Sequence, residues 1–324
     1  MKKNNSVSIL IPVYRSETTL LPLLKRLAAV FAARTDDYEV ILINDGSPDR
    51  SWEMICDLAK EYSFVRGINL TRNFGQHNAL LCGIRAAAKD IIITMDADLQ
   101  NPPEEIPKLL AKLSEGYDAV YGVPEKMKHG IARNLSSRIS KWIFRRVMGI
   151  SNAADGGAFR AFRAPLRGAF ARFQGPFVSV DALLAWGGGR FGSVVVRHDA
   201  RADGQSGYSW GKLVIHVFNI LTGFSAIPLR LVSLIGFFLT VFGAGVLVYV
   251  VGRYLIHGYS FPGFPFLASI IAIFSGAQLF ALGIFGEYLA RMHFRIMDRP
   301  TYVVRETTGE ESKKDSKHID TRQE

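Results

Sequence analysis

Asp96 and Asp98 stand two residues apart in Asp96-Ala-Asp-Leu-Gln100, directly after an apolar run, and that spacing is the clearest chemical signal in the chain. Two carboxylates at a strand end can present oxygens to one hard divalent cation, with the Gln100 amide adding a third. Magnesium or manganese held by so few protein oxygens completes its shell with substrate phosphates. An isolated Asp-x-Asp is a weak motif, because acidic pairs also cap helices and fill solvated turns. Position strengthens it here, since two other apolar runs also end in polar residues: Pro12-Val-Tyr14 with Glu17 soon after, and Asn44-Asp45-Gly-Ser47. Pro102, Pro103, Glu104 and Glu105 suit the first turn of a helix and have a purely structural account. His77, in Gly75-Gln-His77, reads as a helix cap or a core hydrogen-bonding residue.

These residues need a scaffold, and the pattern from Ser6 to about Gly122 supplies one. Val7–Val13, Tyr38–Ile43, Val65–Leu70, Asp90–Met95 and Asp118–Tyr121 read as strands. Between them, Glu17–Ala33, Ser51–Glu61, Asn78–Ala88 and Glu104–Glu115 read as helices. Such alternation predicts an α/β fold with a doubly wound, mostly parallel sheet. Ligands of these sheets bind outside the carboxyl ends of the strands, where the acidic residues fall. Neither a Gly-x-Gly-x-x-Gly nor a Walker-type loop is present, which argues against a dinucleotide enzyme or a phosphate-loop NTPase.

The chain has 324 residues, a formal net charge of +10 and 48% hydrophobic residues. Its mean hydropathy of +0.14 excludes an intrinsically disordered chain. Cys56 and Cys82 are too few for a disulfide framework or a thiolate metal cluster and read as reduced core residues. The apolar surplus lies near the carboxyl end. Leu231 to Gly252 is a run of 22 uncharged residues, and Phe266 to Gly286 forms a second, each long enough to span a bilayer as a helix. Arg230 before the first span and Arg291, Arg295 and Arg299 after the second place both chain ends in the cytoplasm by the positive-inside rule. Two stretches read as amphipathic helices lying on the bilayer: 133–148, with Trp142 among Arg138, Lys141, Arg145 and Arg146, and 210–224. Anionic headgroups account for the basic charge, so nucleic acid is not needed as a partner. The organisation expected is a catalytic domain over 1–225, a two-helix membrane region over 226–292, and a cytoplasmic tail over 293–324, disordered after about 306.

Taken in order, Ser8-Ile-Leu-Ile-Pro-Val-Tyr14, Ile43-Asn-Asp-Gly-Ser47, Thr71-Arg-Asn-Phe-Gly-Gln-His77 and Asp96-Ala-Asp-Leu-Gln-Asn-Pro-Pro103, followed by two spans, resemble the polyprenyl-phosphate glycosyltransferases of glycosyltransferase family 2. Within that group Asn73-Phe-Gly-Gln-His77 and Leu99-Gln-Asn-Pro-Pro-Glu-Glu-Ile-Pro107 are most similar to the transferases of formamido-arabinose. The resemblance covers residues 6 to 304.

It implies a GT-A fold, an inverting reaction, a UDP-sugar donor, undecaprenyl phosphate as acceptor, and Mg2+ or Mn2+. The product would be a lipid-linked sugar for cell-envelope glycan or lipid A modification, made at the cytoplasmic face of a bacterial inner membrane. Pro12, Tyr14, Glu17 and Asp45 would line the nucleoside pocket, Asp45 reading the base edge. Asp96 would contact nucleotide or metal, and Asp98 with Gln100 would hold the metal. Arg133 and Ser137 would bind the lipid phosphate, Asp155 and Arg160 would lie near the reacting centre, and Arg201 and Ser206 would belong to a loop covering the donor. Relatives form tetramers, so a homo-oligomer is implied. Two departures stand out: Gly207 follows Ser206 where the family carries Lys, and Lys126 stands near the place of a family Arg. Three other readings remain open: a glucose donor, a membrane-anchored nucleotide-sugar binding protein without turnover, and a processive synthase. Two spans are too few for the last to form a channel.

Overall fold

The computed structural model describes residues 6–34, 37–124, 157–171, 173–174, 178–199, 227–258, 264–297 and 300–309. Arg133, Ser137, Asp155, Arg201 and Ser206 lie outside the described residues, as do Lys126, Gly207 and both amphipathic stretches. The chain divides into two compact units, one formed by residues 1–208 and 299–324 and the other by residues 209–298.

In the first unit, strands and helices alternate as the periodicity predicts: β1 (Ser6–Val13), α1 (Leu20–Ala32), β2 (Asp37–Asn44), α2 (Ser51–Glu61), β3 (Val65–Leu70), α3 (Gln76–Ala86), β4 (Ile91–Thr94), α4 (Ile106–Ser114) and β5 (Ala119–Pro124). Three further strands follow, β6 (Arg160–Arg163), β7 (Phe191–Val196) and β8 (Val304–Thr307), with helix α5 (Val180–Gly187) between β6 and β7. Together they make an eight-stranded sheet in the order β7-β5-β6-β4-β1-β2-β3-β8. β1 pairs in parallel with β2 and β4, and β2 with β3. β6 is antiparallel to both β4 and β5, and β8 is antiparallel to β3.

Central strands of such a sheet are buried on both faces and therefore read as continuous apolar runs. Ile9, Ile11, Val40 and Leu42 face one layer of the core with Leu24, Ile55 and Leu109. The intervening Leu10, Ile41 and Ile43 face the other, with Leu81 and Phe162. Buried Cys82 belongs to this second layer, and its burial pushes the thiol up to about 11, as befits a packing residue.

Element ends moved where local hydrogen bonds intervene. α1 begins at Leu20 rather than Glu17, because Ser16 first makes a turn in which its carbonyl accepts the Thr19 and Leu20 N–H groups. α4 is preceded by a short 3₁₀ turn over Pro103–Glu105. Glu104 accepts a two-pronged bond from Arg26 (2.9 and 2.6 Å), and Glu105 pairs with Lys108, in keeping with their structural reading.

The second unit contains α6 (Ile227–His257) and α7 (Phe264–Ile296). Pro228–Ile256 and Ile273–Ile296 have the length and composition to cross a membrane, with mean hydropathies of 2.4 and 1.3. Their large apolar side chains, among them Phe237, Phe238 and Val248, are exposed, unlike those of a soluble core helix. The second apolar stretch runs past Gly286 through Glu287, which pairs with Arg291 one turn on (2.5 Å) and so offsets its charge.

Candidate active site

Strand order reverses beside β1: the chain runs outward through β2 and β3, then returns to place β4 on the other side. At such a switch point the loops leaving neighbouring strands diverge and open a crevice at their carboxyl ends. Pro12 and Tyr14 therefore stand at the end of β1 with Asp45 on one side and Asp96 on the other. Backbone bonds fix both flanks, from the Asp45 N–H to the Val13 carbonyl (2.9 Å) and from the Met95 N–H to the Leu10 carbonyl (3.1 Å).

Asp45 is 3% exposed, and its two carboxylate oxygens accept the backbone N–H groups of Phe74 (2.7 Å) and Gly75 (2.9 Å). Burial pushes its pKa up, opposed by those two hydrogen bonds and by the nearby Arg72 charge. The loop reaches this close because residue 46 is glycine: a Cβ there would fall 2.3 Å from the Arg72 carbonyl carbon, and its φ is +61°. Gly75 caps α3, and the next residue, Gln76, donates its side-chain amide to Asp96 (2.6 Å). Consecutive residues thus tie the two acidic flanks of the crevice together.

Asp96, Asp98 and Gln100 lie on one turn, all part-exposed. Asp98 accepts the Gln100 N–H (3.2 Å), and between them Leu99 adopts a φ of +61°, which costs a branched residue of order 1–3 kcal/mol. Leu99 holds that conformation because its side chain packs on the core. Arg15, across the crevice, is the other non-glycine residue with positive φ among the described residues (+53°), and its N–H bonds Ser47 (2.6 Å). Among the described residues no three His, Cys, Asp or Glu side chains group as a metal cage.

Glu17 accepts the Arg50 N–H (3.0 Å) at the amino end of α2, so one of its oxygens caps that helix. Tyr14 is 44% exposed, with the Arg15 guanidinium 5.5 Å from its ring centre. His77 accepts the Val180 N–H (3.5 Å) at the start of α5, matching its reading as a hydrogen-bonding residue.

Three features escaped the sequence reading. The first is Gln76, whose contact with Asp96 joins residues 20 positions apart. The second is the setting of Arg160: it is 2% exposed, pairs with Asp181 and donates Nε to Thr94 (3.1 Å) at the end of β4. Thr94 in turn donates to the Ala158 carbonyl (2.5 Å), so this buried network fastens the segment before β6 to the strand that carries Asp96. The third is the segment after β7: the Asp199 N–H bonds the Gln100 carbonyl (2.9 Å), and His198 lies 3.4 Å from the Asn101 side-chain oxygen. No local signal announces these contacts; each joins segments distant in sequence.

Comparison with known proteins places this arrangement in a family. Residues 8–167 match the model of "Glycosyl transferase family 2". The undecaprenyl-phosphate 4-deoxy-4-formamido-L-arabinose transferase of Yersinia enterocolitica is 34% identical over 322 residues, covering 98% of each chain. The protein of the same name from Shewanella sediminis is 37% identical over 320 residues, covering 97% of each. Among solved structures, glucosyl-3-phosphoglycerate synthase from Mycobacterium tuberculosis, in complex with Mn2+, uridine diphosphate and phosphoglyceric acid, is 14% identical over 67% of this chain and 76% of that chain, with a TM-score of 0.48. An acidic crevice at the switch point of a mostly parallel sheet, together with relatives that match almost the whole chain at about a third identity, leads to one conclusion: the chain belongs to glycosyltransferase family 2 and is a glycosyltransferase of GT-A fold.

Proposed function

We propose that the chain transfers one sugar, with inversion at the anomeric carbon, from a UDP-linked donor to undecaprenyl phosphate at the cytoplasmic face of a bacterial inner membrane. The sugar in this reading is of the 4-deoxy-4-formamido-L-arabinose type, on the strength of relatives that match nearly the whole chain. The observation that carries the proposal is the crevice itself, where Asp45 and Asp96 flank β1 and are joined through Gly75 and Gln76.

Pro12, Tyr14, Glu17 and Asp45 form the nucleoside side in this reading, with Asp45 holding the loop as well as facing the base. Asp96, Asp98 and Gln100 suit Mg2+ or Mn2+: they are hard oxygen donors, part-exposed, on one turn held by the strained Leu99. A divalent ion bound there supplies Lewis-acid stabilisation of the departing diphosphate. A lipid phosphate is already anionic near neutral pH, so its oxygen attacks the anomeric carbon without a strong base, and Asp155 serves to orient sugar or acceptor. Arg133 and Ser137 hold the acceptor phosphate. Arg201 and Ser206 cover the donor, a role supported by the bond that brings Asp199, two residues before Arg201, against Gln100. The two apolar helices and the interfacial stretches keep the enzyme on the bilayer where its acceptor lies, and a homo-oligomer through the membrane helices completes the proposal.

The test is a donor screen: full-length protein in detergent with undecaprenyl phosphate, Mn2+ or Mg2+, and a panel of UDP- and GDP-sugars, following nucleotide release and lipid-linked product. Turnover of the formamido-arabinose donor, lost on chelation, is the expected result. Preference for UDP-glucose would reassign the sugar, and nucleotide binding without turnover of any donor would overturn the enzymatic reading.

A further inference from the structure

After α7 the chain returns to the first unit and adds β8 to the edge of the sheet beside β3. The contacts there are unusually specific. Gly67 donates its N–H to the Thr308 hydroxyl (2.8 Å) and accepts the Thr308 N–H (3.0 Å). Glu306 accepts the Asn69 side-chain amide (2.7 Å), and Asn69 accepts that of buried Asn44 (2.8 Å), the residue immediately before Asp45. Two residues after Asn69, just past the end of β3, the Thr71 N–H bonds the Val303 carbonyl (3.0 Å), and Arg305 donates to the Thr71 carbonyl (3.0 Å). Tyr302 lies over the Arg85 guanidinium of α3 (5.5 Å).

Loop 71–75 is therefore pinned at both ends. Its start is bonded to the carboxyl-terminal segment through Thr71, and its finish is bonded to Asp45 through Phe74 and Gly75. The Glu306–Asn69–Asn44 relay supports the same acidic flank from beneath. A sheet edge does not require this: backbone pairing alone would cover the β3 edge, whereas these side-chain bonds converge on the strand ends that carry the loop and Asp45.

We propose that β8 is a positioning element for the nucleotide-binding loop, acting through Glu306 and Arg305. Neither side chain touches the donor; they set the backbone of Thr71 and the amide of Asn69, and so the N–H groups that orient Asp45. The kinetic part of this inference rests on the transferase reading above.

The experiment uses the full-length protein and three variants, Glu306→Ala, Glu306→Gln and Arg305→Ala, with two readouts: amide hydrogen exchange at residues 71–75, and donor KM against kcat. Loss of one side-chain hydrogen bond is expected to speed exchange at Phe74 and Gly75 and raise donor KM by about fivefold to tenfold in Glu306→Ala and Arg305→Ala. kcat and the lipid-phosphate KM should stay within about twofold, and Glu306→Gln, which keeps an acceptor for Asn69, should restore both readouts. Unchanged exchange at 71–75 in both alanine variants overturns the inference, as does a uniform fall in kcat with donor KM unchanged. Faster exchange in a protein that turns over no donor would support the positioning role while sinking the transferase reading.

Discussion

The two flanks of the crevice use the same residue type for different ends. Asp45 is buried and both its oxygens hold backbone N–H groups, whereas Asp96 and Asp98 remain part-exposed on a turn, touched by the Gln76 amide and by the N–H of Gln100. A carboxylate enclosed by backbone donors builds the walls of a site; a part-exposed pair on a turn suits the ligand-holding role proposed for it. The comparison teaches that acidity at a strand end is not one signal: burial and the identity of the donors decide how much of a carboxylate goes to organising the protein.

The largest test of that division is Asp98→Asn. On the proposed role of Asp98 as a metal ligand, turnover should fall on the order of 1,000-fold while the thermal midpoint hardly moves, because asparagine keeps an Oδ1 to accept the Gln100 N–H. A matching loss of stability would show that Asp98 is structural after all.

Asp45→Asn should reverse the pattern. It replaces one acceptor by an N–H2 group facing a backbone N–H, a cost of about 1–3 kcal/mol, so calorimetry should record a midpoint several degrees lower and donor KM should rise. Because burial raises the Asp45 pKa, wild-type nucleotide binding should weaken on acidification at a pH above the ordinary 3.8 of an aspartate, as protonation removes an acceptor from the loop. Stability carries its own sign: a raised folded pKa contributes stability present below the unfolded value and lost as pH rises through the folded one. Subtracting the Asp45→Asn unfolding curve from wild type should reveal that loss, and a flat difference would remove the burial argument.

Arg26–Glu104, a part-exposed pair that contributes neither of the crevice's acidic flanks, provides the smallest effect. The Arg26 hydrogen bond holds the Glu104 carboxyl below its usual 4.5, opposed by burial, so its contribution is present above that value and disappears as pH falls through the folded pKa. With side chains 30% and 47% exposed, Glu104→Gln should cost less than ~1 kcal/mol in denaturant titrations and leave turnover unchanged.

Periodicity made β1 to β5 and α1 to α4 legible because each buries apolar residues at the spacing of its own backbone, and the strands of a parallel sheet are apolar throughout. It placed Asp45, Asp96 and Asp98 at strand ends for the same reason. β6, β7 and β8 were not foreseen. Arg160-Ala-Phe-Arg163 and Val304-Arg-Glu-Thr307 are four-residue segments with charged side chains, too short to announce a strand, and they become strands only by pairing with partners already in place. The carboxyl-terminal segment is held as far as Thr308, just past the 306 expected from the sequence: Thr307 pairs with Ile68 and Thr308 bonds Gly67.

By itself, then, the order of residues determined the alternating α/β half, the two apolar helices, the positions of the acidic motifs and the family, because these depend on local periodicity or on consecutive residues. Only the tertiary structure decided that β1 lies between β2 and β4, that Gly75 and Gln76 bridge Asp45 and Asp96, and that a strand from the far end of the chain braces Asn69 and Thr71. Those contacts join segments from 20 to more than 230 residues apart, and their geometry exists only once the sheet has brought the segments together.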